Sequence, residues 1–150
     1  MGDSGRGKST LAHTDAWNRI SDDISPVVID EAGVWMIPHF PQLKLSAQEQ
    51  YPLKGSIRLP LSSLYLLCPI KDKQTHTFTA APLKPAEAAR VIIAHTVASR
   101  LFTPQRLVDH MTFAAQLAQR TPVYKLYYPW DIHNLPALRS AIADNDLAQA

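Results

Sequence analysis

The sequence predicts a single α/β domain, and three observations carry that prediction. Short β-branched and aromatic runs such as "VVID", "SSLYLLCPI" and "VYKLYYP" read as strands. Two long amphipathic stretches between residues 84 and 120 read as helices. Residues 2–10, "GDSGRGKST", have the form of a phosphate-binding loop, which normally hangs from the end of a buried strand. A chain of 150 residues, 46% of them hydrophobic, has the size of one compact domain that buries most of its apolar surface.

Taken in order, "TLAHTDAW" extends the loop into at most two helical turns, because "NRISDDISP" then brings an acidic pair and a proline. "PVVIDEAGVWMIP" holds two apolar runs joined by Asp30, Glu31, Ala32 and Gly33, which are hairpin-turn residues. The segment from Pro38 to Pro60 carries four prolines and predicts an irregular excursion. "PLSSLYLLCPI" reads as a buried strand and "THTFTAAPL" as an alternating one. "KPAEAARVIIAHTVASRLF" places Ala89, Ile92, Ile93, Val97 and Leu101 near helical spacing, with Pro85 suited to the first turn. "TPQRLVDHMTFAAQLAQR" repeats the device, with Thr103 as N-cap and Pro104 at the first helical position. "PVYKLYYP" is a further strand, and "NLPALRSAIA" a closing helix before a polar tail at 145–150.

A net charge of +2 from scattered basic residues leaves no electrostatic footprint for nucleic acid. Cys68, the lone cysteine, cannot form an internal disulfide and reads as a buried core thiol. No stretch has the ~20 apolar residues that a membrane-spanning helix needs, and the N-terminus lacks the apolar core of a signal peptide, so the expectation is a soluble, cytoplasmic protein.

Gly2, four residues (Asp3, Ser4, Gly5, Arg6), Gly7, Lys8 and Ser9 complete the phosphate-loop signature, and Thr10 follows. Glycines let successive N–H groups curl around a polyphosphate, the lysine reaches its outer phosphates, and the hydroxyl holds Mg²⁺. An acid must complete such a site. "VVIDE" looks like the acid-tipped strand of ordinary P-loop ATPases, but it lies too close to the loop, and Asp30 and Glu31 read instead as exposed turn residues. Asp22 and Asp23 lie 14 and 15 residues beyond Lys8. Two adjacent carboxylates near phosphate need a cation or share a proton, which suits metal binding and proton removal; the competing reading is a surface turn.

These blocks resemble the HPr serine kinases, which share a fold with the phosphoenolpyruvate carboxykinases. "GDSGRGKSTL" is similar to their loop and "RISDDISPVVID" to the strand carrying their acidic pair. "IPHFPQLKL", "LPLSSLYLL", "LKPAEAARVII" and "LAQRTPVYKLYYPWDIHNLPAL" resemble later segments of the kinase-like branch. The resemblance implies a mixed sheet with C-terminal helices, and an ATP- and Mg²⁺-dependent kinase acting on a hydroxyl, a serine of a protein or peptide. It implies that residues 2–10 wrap the phosphates of ATP and that Lys8 contacts the β and γ groups. Ser9 and Asp22 would then ligate Mg²⁺, with Asp22 or Asp23 taking the acceptor proton. It further implies assembly into oligomers. In those kinases a strand supports the loop; here only Met1 precedes it, so either another element lends support or the coding region extends upstream. Carboxykinase arginines and metal ligands have no clear counterpart, which argues against decarboxylation. The alternative function is a non-catalytic nucleotide-binding or interaction module derived from such a kinase.

The histidines at 13, 39, 76, 95, 110 and 133 lack paired ligand spacing and predict no metal cluster. Tyr124, Tyr127, Tyr128 and Trp130 of "VYKLYYPW" suggest a stacking surface, but on an alternating strand the tyrosines predict core and rim residues instead. Lys44 and Arg58 could reach a phosphate, but each reads first as a solvated charge.

Overall fold

The protein is seen in a computed structural model that describes residues 1–2, 5–6, 8–12, 24–38, 58–70, 78–97, 102–129 and 135–147. They fall into two compact units, Met1–Lys8 with Ser62–Ala150, and Ser9–Leu61. The architecture is α/β, as the pattern predicts, with one small sheet in each unit.

In the smaller unit, β1 (Val27–Asp30) and β2 (Gly33–Met36) form the expected antiparallel hairpin, and β3 (Leu59–Pro60) pairs with β2. The turn is locked by one side chain. Asp30 Oδ1 accepts from Ala32 N at 3.0 Å, Gly33 N at 3.1 Å and Trp35 Nε1 at 2.8 Å, while Oδ2 accepts from Arg58 at 2.7 Å. Glu31 is exposed as expected, but Asp30 is more than a solvated turn residue. The Trp35 hydrogen bond, followed by the two backbone donors and Arg58, holds its carboxyl below the usual range despite partial desolvation. Arg58, for its part, is paired with Asp30 rather than simply solvated. The expected excursion and Lys44 lie mostly or wholly within 39–57, outside the described residues.

The larger unit is built on a mixed sheet. β4 (Leu64–Ile70) runs parallel to β6 (Val123–Pro129), and β5 (Thr79–Pro82) pairs antiparallel with the other edge of β6. β6 is central, which explains why its alternating residues Tyr124, Leu126 and Tyr128, with Val123 at its start, lie in the core. The register sets Tyr65 beside Tyr124, and their rings stack at 5.3 Å. On that face α4 (Leu135–Leu147) covers the sheet, burying Leu138 and Ile142 one turn apart, and Asn145 donates to the Tyr65 hydroxyl at 2.8 Å. Lys125 points to the opposite face, where it meets Glu87 of α2 (Pro85–Ala94) at 2.6 Å. Helices therefore lie on both faces of the sheet.

α2 packs on α3 (Pro104–Arg120); Ala88 and Ile92 of one and Ala114, Leu117 and Ala118 of the other are buried. The cap at Thr103 forms as predicted, its hydroxyl accepting from Arg106 N at 3.3 Å. The helical period through Val97 does not survive: α2 ends at Ala94, and Val97 stands beyond it, 54% exposed. Thr96 then donates to the Ile92 carbonyl and meets His110 Nε2 at 2.7 Å, fastening the end of α2 to α3. Among the described residues, no helix is long and apolar enough to cross a membrane.

Candidate functional site

The phosphate-binding signature begins on a strand position. Met1 N donates to the Tyr65 carbonyl, and Leu67 N donates to the Met1 carbonyl at 3.0 Å. These two bonds are the pattern of parallel pairing between Met1 and Leu66, so Met1 hydrogen-bonds along the edge of β4 as a parallel strand residue does. The pairing cannot extend. On a strand, alternate residues present their N–H to one neighbour; after Leu67 the next donor on this edge would be residue 69, which is a proline with no N–H. The chain leaves the sheet at Gly2, whose φ of +148° is one that side-chain-bearing residues rarely adopt.

Beyond this departure point, Gly5 turns the loop at φ +76°, in the left-handed region. The Tyr128 hydroxyl donates to the Arg6 carbonyl at 2.6 Å, tying the loop to the central strand. Lys8 Nζ donates to the Gly2 carbonyl at 2.7 Å, closing the loop across its base. Lys8 and Ser9 are exposed at the start of α1 (Lys8–Ala12). Its five described residues fall within the two turns at most expected from sequence. Thr10 also lies in α1; Asp3, Ser4, Gly7, Asp22 and Asp23 lie outside the described residues. The larger unit thus brings Gly2, Gly5, Arg6 and Lys8 together at the carboxyl end of a parallel strand pair. In open α/β sheets, that end is where ligands bind.

No family model, curated protein or solved structure matches this chain. A functional reading therefore rests on the residues and their geometry.

Beside the loop lies a cavity of about 460 Å³. Gly2 and Arg6 form its loop wall, Leu66 to Ile70 of β4 a second wall, and Tyr127 and His95 the remainder. Cys68 is part of this wall and only half buried, so the expected core thiol is instead a cavity residue. Burial raises its pKa, with Lys125 and Arg6 opposing, so the thiol stays protonated near neutral pH and is no nucleophile.

The electrostatics of the loop follow from its seat on the sheet. Burial, helped by the charge of Lys8, lowers the Met1 amine to about 6. Tyr128 is pushed up by burial, with Arg6 opposing, so its hydroxyl keeps the proton that it donates. Among the described residues, no three His, Cys, Asp or Glu side chains gather as a metal site. The Ser9 hydroxyl is nonetheless a hard oxygen ligand of the kind Mg²⁺ takes, and Mg²⁺ commonly binds through one or two protein groups with phosphates and water.

Sequence reasoning missed two parts of the site. The pairing of Met1 with β4 left no periodic signal, since it joins residues 64 apart in sequence. The Tyr128 tether had a partial one: alternation puts Tyr128 on the face of Tyr124 and Leu126, where a buried hydroxyl requires a partner. Asp30, weighed as an ATPase acid, sits in an antiparallel hairpin with its oxygens engaged by Ala32, Gly33, Trp35 and Arg58. It is a turn lock.

Proposed function

We propose that this chain is an ATP- and Mg²⁺-dependent kinase that transfers the γ-phosphate to a hydroxyl, a serine of a protein or peptide. The observation that supports it best is the complete signature of residues 2–9 departing from a strand position on β4 beside parallel β6. On this reading the fold is of the HPr kinase and phosphoenolpyruvate carboxykinase type, and the protein works in the cytoplasm, possessing the oligomeric habit of those kinases.

Each residue then has a task. The loop amides of residues 2–9 cradle the phosphates, and Lys8 exchanges its bond to the Gly2 carbonyl for the β and γ groups. Ser9 and Asp22 would hold Mg²⁺, which when bound neutralises charge on the phosphates. One of Asp22 and Asp23 takes the proton from the acceptor hydroxyl. Most of the acceleration would come from positioning and charge stabilisation, since phosphoryl transfer asks little covalent chemistry of the protein.

The test is calorimetry of ATP binding with and without Mg²⁺, with Lys8→Ala as control, followed by phosphate transfer to serine peptides. Mg²⁺-dependent binding lost in Lys8→Ala, and transfer lost in Asp22→Asn/Asp23→Asn, are expected. Transfer unchanged in these variants would overturn the mechanism. Binding with no transfer to any hydroxyl would leave the non-catalytic module as the function.

A further inference from the structure

We propose that the cavity between the loop and the carboxyl end of β4 receives the nucleoside end of the nucleotide. This rests on the reading of residues 2–9 as a phosphate site and adds where the rest of the molecule goes.

Position is the first argument. Gly2 and Arg6 belong both to the loop and to the cavity wall, so a molecule whose phosphates lie on the loop has the cavity immediately beside it. The β4 wall of the cavity runs from Leu66 to Ile70, the carboxyl end of a parallel strand, where ligands gather. Its volume of about 460 Å³ falls in the range of roughly 300–1,000 Å³ usual for small-molecule sites.

Chemistry is the second. Leu66 and Ile70 provide an aliphatic wall, and Tyr127 an aromatic one, which suit the faces of a flat heteroaromatic ring. Arg6 and His95 also line it, the few polar groups that would orient such a ring or its ribose hydroxyls. None of the lining residues is acidic. A hydroxyl acceptor needs a carboxylate within reach to take its proton, so this wall suits the unreactive end of the nucleotide better than the acceptor. Cys68 faces the same side of the sheet as Tyr127 and is the natural place to fill the space.

Calorimetry with two probes, ATP and inorganic tripolyphosphate, both with Mg²⁺, separates the nucleoside from the phosphates. The parent chain should bind ATP at least about tenfold more tightly than tripolyphosphate. Cys68→Trp should remove most of that preference while leaving tripolyphosphate affinity unchanged. Ile70→Phe is the second variant, with the same expectation, and circular dichroism checks that each is folded. Equal affinity for the two probes in the parent chain would overturn the proposal, as would a preference that survives in folded variants of both kinds. Failure of both probes to bind would instead overturn the phosphate-site reading and this proposal with it.

Discussion

The Tyr128 hydroxyl donates to the Arg6 carbonyl at 2.6 Å, across 122 residues of chain. It is the bond that fastens the loop to the buried central strand. Tyr128→Phe keeps the ring and removes only the bond, so it should cost about 1 kcal/mol of stability. The same variant should weaken Mg²⁺-ATP binding several-fold, because a looser loop must be ordered by the ligand. Urea unfolding and calorimetry on one preparation check both; unchanged ATP affinity would mean that Tyr128 serves the core alone.

The seat of the loop should respond to pH. In the folded 150-residue chain the Met1 amine titrates at about 6, against 8.0 for an ordinary terminus. Between those values the unfolded chain holds a proton that the folded chain refuses. Stability from this group is therefore complete above pH 8 and is lost as pH falls to 6, by roughly 2–3 kcal/mol in all. Urea midpoints at pH 8 and pH 6 should show the loss, and acetylating the terminus should remove this contribution.

Asp30→Ala should loosen the β1–β2 hairpin by orphaning the Trp35 indole and freeing Arg58. Its folded pKa is lowered, so the stability it contributes is present above the ordinary carboxylate value and lost as pH falls through the lowered one. Tryptophan fluorescence during acid titration should report a transition in the parent chain that is absent in Asp30→Ala.

Leu126 is fully buried at the centre of the sheet, between strands on both sides. Leu126→Ala should cost about 2–5 kcal/mol by leaving a cavity in a layer that helices cover on both faces. Thr103→Ala, which loses only the α3 cap, should cost about 1 kcal/mol. Chemical denaturation of the two variants side by side tests the ranking; a cap loss as large as the core loss would contradict it.

Local pattern made the hairpin at Asp30–Gly33, the strands β4 and β6, and the two proline-started helices legible, because each follows from periodicity and turn chemistry within a dozen residues. The phosphate-loop signature was equally plain, since its glycines, lysine and serine are contiguous. Sequence alone thus determined the type and approximate place of these elements, though not that α2 ends at Ala94, and it carried the phosphate-loop signature of residues 2–9. Tertiary structure decided where those residues stand. Only pairing across 64 residues fastens Met1 to β4, and only the register of β4 on β6 brings Cys68 beside Tyr127 at the cavity wall. It also converts Asp30 from an exposed turn acid into a lock for Trp35 and Arg58. The physical reason is one of range: propensity and periodicity act between near neighbours, whereas burial and hydrogen-bond partners depend on segments that only the folded sheet brings together.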